Sequence, residues 1–188
     1  GYFGMKPLFQ KIVAALIVLS LLAVAGPWVY INLIKEDAPD ALSLDPAVTT
    51  TAGEAPPTTN ATDGEWAVVA DLVVGYRVKE ILFGQDTEGV GRTSAVTGSL
   101  VIANNEVTSA EFTVDMTTIK SDSSRRDRQV DNRILDTATY PTATFALKEP
   151  IALAPEALAG SDFTVNTTGT LTLRGVTKDI PVTLVARL

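Results

Sequence analysis

Residues 110–117, Ala-Glu-Phe-Thr-Val-Asp-Met-Thr, alternate strictly between apolar and polar side chains. Because successive side chains of a strand point to opposite faces, the stretch is predicted to form an amphipathic strand with one buried face. The same alternation recurs around Gly98, after Pro141, around Gly169 and in the closing residues. Turn-forming residues such as Asn104-Asn105 and Arg174-Gly175 separate these runs. The pattern predicts an all-β domain of about eight antiparallel strands.

The inward side of these predicted strands carries mostly small or medium side chains. The whole chain has only six Phe and two Trp residues. An eight-stranded barrel encloses an interior that side chains can just fill, or that can hold one ligand. Strands of about 8–10 residues, tilted as in barrels, would give an apolar bore roughly 20–25 Å tall. Residues 66–188 are therefore predicted to form a closed barrel, with a compact core and an open bore as alternatives.

The composition excludes much chemistry before any motif is considered. The chain contains no cysteine and no histidine, and its formal net charge is −7. Thiolate catalysis, Ser-His-Asp arrangements and the commonest zinc ligands are therefore absent. The negative charge argues against a nucleic-acid surface. We expect no catalytic residue, no metal site and no cofactor, and hence no enzyme.

The N-terminal region contains a long apolar stretch. Ile12 to Ile34 carry no charged side chain, and a helix of that length would measure roughly 34 Å, enough to cross a hydrocarbon core. Lys6 and Lys11 precede the stretch and acidic residues follow it, which predicts a cytoplasmic N-terminus with the remaining chain outside. Residues 1–35 are predicted to be a single-pass transmembrane anchor. Asn32, Ser20 and the Gly26-Pro27 bend predict contacts between this helix and other membrane helices, with Gly26 or Ser20 at the contact.

A cleaved signal peptide is the alternative for the same stretch. Ala23-Val24-Ala25 has the small-x-small form of a cleavage site. Apolar sequence nevertheless continues for nine residues beyond Ala25, which favours the anchor. Residues 36–65, which are acidic and rich in Thr and Pro, lack any helical or strand period. They are predicted to be a flexible linker between the anchor and the β domain.

Several segments in a fixed order resemble the YceI-like family, and together they span the whole of residues 66–188. They are Gly64-Glu65-Trp66, Val74-Gly75-Tyr76-Arg77-Val78, Val96-Thr97-Gly98-Ser99-Leu100, Phe112-Thr113-Val114-Asp115-Met116, Arg126-Asp127, Ile134-Leu135-Asp136, Tyr140-Pro141-Thr142-Ala143-Thr144-Phe145 and Gly169-Thr170-Leu171-Thr172-Leu173-Arg174-Gly175-Val176-Thr177-Lys178. The resemblance implies a lipocalin-like barrel that binds polyisoprenoid lipids. Family members are usually secreted through a cleaved signal, so the hydrophobic segment and the acidic linker favour a role at the membrane.

The resemblance also implies a ligand, an isoprenoid lipid or the isoprenoid tail of a quinone, lying in the bore. Burial of its apolar surface is favourable by about 0.8 kcal/mol per CH₂ and needs no charged partner. Each predicted lining residue is equally what a packed core would contain. The predicted ligand-binding residues are Phe83, Val96, Leu100, Phe112, Val114, Met116, Phe145, Leu147, Phe163, Leu171, Val182 and Leu184.

One dense basic cluster is a candidate for the polar end of the ligand. Arg125, Arg126 and Arg128 lie in the largest predicted non-strand insertion, which is expected to hold a short amphipathic helix. At the mouth of a barrel these side chains could meet a pyrophosphate or another headgroup. A solvated helix face, or a structural pair between Arg126 and Asp127, is the alternative.

Two classes of function remain open from the sequence. The first is a membrane-anchored extracytoplasmic binding module for an isoprenoid lipid or an isoprenoid-quinone tail. The second is a non-catalytic accessory or scaffold subunit of a larger membrane complex, for instance a respiratory complex that uses quinones. In the second case the barrel would be packed shut and the N-terminal helix would contact other transmembrane subunits.

Overall fold

The structure is a computed structural model that describes residues 18, 20, 23, 25–43, 62–68 and 72–187. These residues fall into two compact units. The first unit contains the described residues up to Pro39 together with Lys79–Glu88, and the second contains the remainder.

The first unit contains a helical segment, α1, over residues 25–34. Residues 25–29 are α-helical and continue into a π-helical turn at Tyr30–Ile34, which the Lys35 amide closes by donating to the Tyr30 carbonyl at 2.7 Å. Within the described part of the chain, no helix has the length and hydrophobicity that crossing a membrane requires. Residues 12–17, 19, 21, 22 and 24 of the predicted span, and 44–61 of the predicted linker, lie outside the described residues. The anchor and the linker therefore stay predictions.

The described residues form ten strands, two of which are only two residues long. The eight longer strands match the number that the alternation predicts. The strands are β1 (Gly64–Ala67), β2 (Val74–Leu82), β3 (Gln85–Thr93), β4 (Val96–Ala103), β5 (Glu106–Asp115), β6 (Lys120–Ser121), β7 (Thr142–Leu147), β8 (Ile151–Ala152), β9 (Phe163–Leu173) and β10 (Val176–Ala186).

The described strands fall into two hydrogen-bonded antiparallel sheets. The larger sheet has the order β1-β4-β5-β7-β9-β10, with β8 paired to β5, and the smaller has the order β2-β3-β6. The longest ladder joins β9 and β10, from Leu173 opposite Val176 to Phe163 opposite Ala186. The mostly antiparallel β fold is thus as predicted, while closure into a barrel stays a prediction.

Three hairpins close through two-residue turns of the same kind. The turns are Phe83-Gly84 between β2 and β3, Asn104-Asn105 between β4 and β5, and Arg174-Gly175 between β9 and β10. Both residues of each turn have positive φ, between 50° and 80°. This conformation matches the twist of the flanking strands, which is why Asn and Gly are favoured in such turns. The sequence predicts the second and third turns and misses the first.

The largest non-strand insertion connects β6 to β7, as predicted. Helix α2 spans Ser124–Gln129, begins at the Ser123 cap and continues into a π-helical turn at Val130–Ile134. A second short helix, α3, spans Pro155–Leu158. The buried residues Met116, Ile119 and Ala143 form the packed core beside this insertion. They lie at one end of the larger sheet.

Candidate functional site

The candidate site lies on one face of the larger sheet. Phe112 on β5 pairs directly with Phe145 on β7, and two residues along each strand Val114 pairs with Ala143. Because residues two apart in a strand face the same way, all four side chains lie on this face. The two pairs form adjacent rungs, one aromatic and one small.

Both phenyl rings of the aromatic rung lie close to the backbone of a glycine. A Cβ placed on Gly169 would be 2.1 Å from two ring atoms of Phe145, and one placed on Gly98 would be 2.9 Å from the Phe112 ring and 2.1 Å from the Glu111 carbonyl oxygen. The rings therefore occupy space that any other residue would fill with its own side chain. Gly98 also has a φ of +148°, which side chains rarely adopt.

A cavity of about 510 Å³ is lined by both rings of the aromatic rung. We call it the sheet-end cavity, because strands and the segments that flank them provide its whole wall. Apart from Thr62 and Arg187, its wall is apolar. Its remaining lining residues are Trp66, Leu100, Ile102, Val107, Ala110, Phe112, Phe145, Leu147, Ile151, Leu153, Phe163, Val165, Leu184, Val185 and Ala186.

A second cavity of about 350 Å³ is lined by the adjacent rung, Val114 and Ala143. We call it the helix-side cavity, because α2 and its π-helical turn close it. The smaller sheet also contributes to it, through β2. Its lining residues are Val74, Gly75, Tyr76, Val78, Val114, Met116, Ile119, Arg126, Val130, Ile134, Leu135, Ala143, Leu171 and Leu173.

Arg126 is the single charged side chain among the described residues that line the helix-side cavity. Its side chain is only 11% exposed, and its guanidinium forms an ion pair with Asp122 and donates to the Ser121 hydroxyl at 3.3 Å. The neighbouring Asp127 carboxylate instead accepts hydrogen bonds from the Ser121 amide at 2.9 Å and the Ser121 hydroxyl at 2.7 Å. These bonds hold the start of α2 against β6, so Arg126 enters the cavity wall from a fixed backbone.

Comparison with known proteins identifies the family. The model of the YceI-like domain matches residues 66–187, which is well over half of the chain. This chain belongs to the YceI-like family. No curated protein matches it. A solved structure that resembles it is a polyisoprenoid binding domain from Saccharophagus degradans implicated in plant cell wall breakdown, with a TM-score of 0.50 and 21% sequence identity over 66% of this chain and 68% of that one. At this identity the likeness shows a shared lipocalin-like fold.

The YceI-like domain brings nine of the twelve predicted ligand-binding residues to the two cavities. The remaining three lie elsewhere. Phe83 lies in the β2–β3 turn and is 67% exposed, Val96 is buried at the start of β4, and Val182 lies in the middle of β10. Leu100, Phe112, Phe145, Leu147, Phe163 and Leu184 line the sheet-end cavity, and Val114, Met116 and Leu171 line the helix-side cavity.

The three predicted headgroup residues separate in the structure of the YceI-like domain. Arg126 lines the helix-side cavity, whereas Arg125 and Arg128 are exposed on the same short helix. Arg126 forms an ion pair with Asp122, and the structural pair between Arg126 and Asp127 stays a prediction.

Sequence analysis missed the apolar side chains that close the helix-side cavity. Val130, Ile134 and Leu135 come from the end of the α2 segment rather than from a strand. Arg126, Val130 and Ile134 are spaced by four residues, which places them on one face of a helix. That spacing could have predicted that Arg126 lines the cavity and that Arg125 and Arg128 do not.

Proposed function

We propose that this chain is a non-catalytic binding protein for an isoprenoid lipid, with the tail in the sheet-end cavity and the polar end beside Arg126. The observation that carries the proposal is that two largely apolar cavities lie on one sheet face, one lined by the Phe112–Phe145 rung and the other by the adjacent Val114–Ala143 rung. Membership of the YceI-like family supports the ligand class, as does the shared fold with a polyisoprenoid binding domain.

The dimensions of the face favour a long, narrow ligand. From Phe163 in the sheet-end cavity to Leu173 in the helix-side cavity, β9 runs for ten residue steps, or roughly 33 Å of strand. The two volumes lie within the range of about 300–1,000 Å³ that is typical of small-molecule pockets. Each CH₂ that leaves water contributes about 0.8 kcal/mol, so a long apolar chain can bind without charged partners.

The polar end of the ligand is proposed to lie in the helix-side cavity because Arg126 supplies donors there. A guanidinium donates hydrogen bonds and accepts none, so it selects an acceptor such as a quinone carbonyl, a hydroxyl or a phosphate. The sheet-end cavity has no lysine or acidic side chain among its described lining residues, and Arg187 at its rim is paired with Asp162. This difference orients the ligand, with the tail away from α2.

The single experiment that tests the proposal is mass spectrometry of the organic extract of the purified full chain. We expect an isoprenoid lipid or quinone in stoichiometric amount, released on heat unfolding. Two results together would contradict the proposal. The extract would contain only the phospholipids of the preparation, and the delipidated domain would bind neither an added prenol nor an added quinone. They would favour the accessory-subunit alternative, in which the domain serves as a scaffold.

Membrane attachment through residues 12–34, with the YceI-like domain outside the cytoplasm, is part of the same proposal. The apolar stretch and the lysines that precede it support this orientation. Protease added to intact spheroplasts should then release the chain beyond about residue 40, near the start of the linker region, because such exposed segments are the usual sites of proteolysis. A domain that stays protected until the spheroplasts are lysed would contradict the orientation.

A further inference from the structure

The turn between β2 and β3 carries a phenylalanine in a conformation that phenylalanine avoids. Phe83 has a φ of +53°, in the left-handed region where a side chain crowds the following carbonyl. The two sister turns use Asn104 and Arg174 at the same position, with φ values of 53° and 50°. Burial does not explain the choice of phenylalanine, because the Phe83 side chain is 67% exposed.

A second apolar side chain lies two residues away. Ile81 is 77% exposed, the most of any large apolar side chain in the described residues. Ile81 and Phe83 belong to the first unit, which supplies eight of the 17 exposed large apolar side chains although it holds far fewer of the described residues. Concentrated apolar exposure of this kind marks a surface that meets another apolar phase.

Within the first unit, the hairpin is hydrogen-bonded to the end of α1. The Asn32 side-chain amide donates to the Gln85 side-chain carbonyl at 3.3 Å. The Lys35 ammonium donates to the Thr87 hydroxyl and to the Glu88 carbonyl at 3.3 Å. The polar Asn32 side chain is thus bonded to β3, the strand that follows the Phe83-Gly84 turn.

The same end of α1 carries side chains suited to the surface of a bilayer. Trp28 and Tyr30 are 53% and 46% exposed, and Leu33 and Ile34 are more exposed still. Tryptophan and tyrosine favour the membrane–water interface, where the ring meets lipid and the polar atom meets water. Because Asn32 and Lys35 bond to Gln85 and Thr87, the hairpin tip lies at the level of these interfacial residues.

We propose that the hairpin tip is a second membrane contact, in which Ile81 and Phe83 insert into the interface of the bilayer that α1 enters. This inference rests on the membrane attachment proposed above and is independent of the isoprenoid ligand. Insertion is driven by apolar burial rather than by anionic lipid, because acids outnumber bases near the tip. The described charged residues of this unit are Lys35 and Lys79 against Glu36, Asp37, Glu80, Asp86 and Glu88.

The natural absence of cysteine allows a direct test with single labels. The full chain would be reconstituted in phosphatidylcholine vesicles with an environment-sensitive fluorophore on Phe83→Cys, Asn104→Cys or Arg174→Cys, which are equivalent positions of the three turns. We expect a blue shift at position 83, quenching by nitroxide-labelled lipid and loss of quenching by aqueous iodide. The labels at 104 and 174 should respond as they do in water.

A second arm keeps the phenylalanine and tests its ring. A fluorophore on the exposed Asp86→Cys should be quenched by nitroxide-labelled lipid when Phe83 is present. When Phe83→Asn is added, the same fluorophore should no longer be quenched by the lipid and should become accessible to aqueous iodide. Arg174→Asn is the matched control and should leave the Asp86 label unchanged. Phe83→Asn should also raise the melting temperature in detergent, since Asn-Gly suits this turn better than Phe-Gly.

Each outcome decides a different point. Chain that floats with the vesicles while the label at 83 stays open to iodide would overturn the tip contact and leave the anchor standing. Chain that does not float would overturn both. A label shielded from iodide but not quenched by nitroxide lipid would overturn the bilayer as the occupant and indicate a protein partner. The lipid extract of the purified chain tests the isoprenoid function separately.

Discussion

The two cavities of the YceI-like domain share one sheet face and differ in what closes them. The sheet-end cavity is walled by strands of the larger sheet and the segments beside them, whereas the helix-side cavity is closed by the short α2 segment and by β2. Strands in a long ladder are held by hydrogen bonds along their length, while a helix of six residues gains little stability from its own backbone. We therefore expect the proposed ligand to enter through the helix-side cavity and its tail to lie in the sheet-end cavity.

The cavities also differ in polarity, and this difference predicts the direction in which a lipid binds. Arg126 gives the helix-side cavity a donor that is held by Asp122 and Ser121. The aromatic rung lies between this polar end and the apolar end, and its rings rest over glycines. A ligand with one polar end and a long tail matches this order of environments.

The largest expected effect comes from filling the sheet-end cavity. Ala110 is buried in the wall of the sheet-end cavity, and Ala110→Trp would place an indole ring where the tail is proposed to lie. We expect the co-purified lipid to be lost while the melting temperature changes little, because the ring fills a void instead of overpacking a core. Lipid mass spectrometry and thermal denaturation measure the two responses.

The next residue along the same strand provides the control. Glu111 is exposed on the opposite face, so Glu111→Trp should keep the lipid. If Ala110→Trp kept a full complement of lipid, the sheet-end cavity would not hold the tail. A loss of stability of about 1–3 kcal/mol would show instead that this space is already packed.

Disturbing the rung between the cavities should have the next largest effect. Gly169→Ala places a methyl group 2.1 Å from the Phe145 ring, so the ring must move away from residue 169. We expect a loss of about 1–3 kcal/mol in the free energy of unfolding, as for other overpacked sites, and partial loss of lipid. Gly26→Ala is the matched control, since no atom lies within 4 Å of its added methyl group. A Gly169→Ala protein as stable as Gly26→Ala would mean that the ring is not constrained by the glycine.

Replacing the charged guanidinium by a neutral amide, which is a weaker donor, should weaken binding of the polar end only. Arg126→Gln is expected to reduce affinity for a prenyl lipid with an acceptor headgroup by about tenfold, which corresponds to roughly 1.4 kcal/mol. Arg128→Gln, on the exposed side of the same helix, should have no effect. Titration with an isoprenoid hydrocarbon that lacks a headgroup should give equal affinities for all three proteins. If Arg126→Gln bound the lipid with the acceptor headgroup as tightly as the natural chain does, the polar end of the ligand would not lie beside Arg126.

The smallest effect is expected on the outer face of the same sheet, where no cavity is involved. Hydrogen bonds from Lys148 and Thr170 lower the pKa of Asp179 below its ordinary value of 3.8, and the bond to Asp179 raises the pKa of Lys148 above 10.5. Stability from the Asp179 shift is present above about pH 3.8 and is lost as the pH falls through the lowered pKa, and stability from the Lys148 shift is lost as the pH rises through the raised one.

Both side chains are exposed, so Lys148→Met should lower the melting temperature only marginally at pH 7. The difference from the natural chain should vanish in acid, once the Asp179 carboxylate is protonated. A large decrease at neutral pH would show that the outer face contributes as much to stability as the cavity face, contrary to the comparison.

Alternation along the strands predicted most of the fold and of the cavity wall. Phe112, Val114 and Phe145 lie on the same face because a strand repeats every two residues, whatever the tertiary structure. The two-residue turns at Asn104 and Arg174 follow equally from local chemistry. Phe83 was predicted to bind the ligand but lies in the β2–β3 turn, because it precedes Gly84 in a hairpin whose two turn residues both adopt the left-handed region.

Other features depended on contacts that are distant in sequence. The division of the face into two cavities requires the register between β5, β7 and β9, which alternation does not fix. The ion pair between Arg126 and Asp122 could not be predicted by spacing alone, since more than one carboxylate is close in sequence. The pairing of the strands into two sheets could not be predicted either, because alternation indicates which side chains share a face and not which strands are neighbours.

The contact between ring and glycine carries a consequence for how this family can vary. Gly169 and Phe145 share one space, because a side chain at the glycine and the ring on the neighbouring strand exclude each other, whereas at Gly98 the backbone itself also excludes a side chain. Relatives should therefore exchange both members of a pair together: where a larger residue replaces the glycine, the ring opposite should shrink. Such paired exchange would shift the boundary between the two cavities, and so would let related proteins accommodate tails of different length on an unchanged sheet.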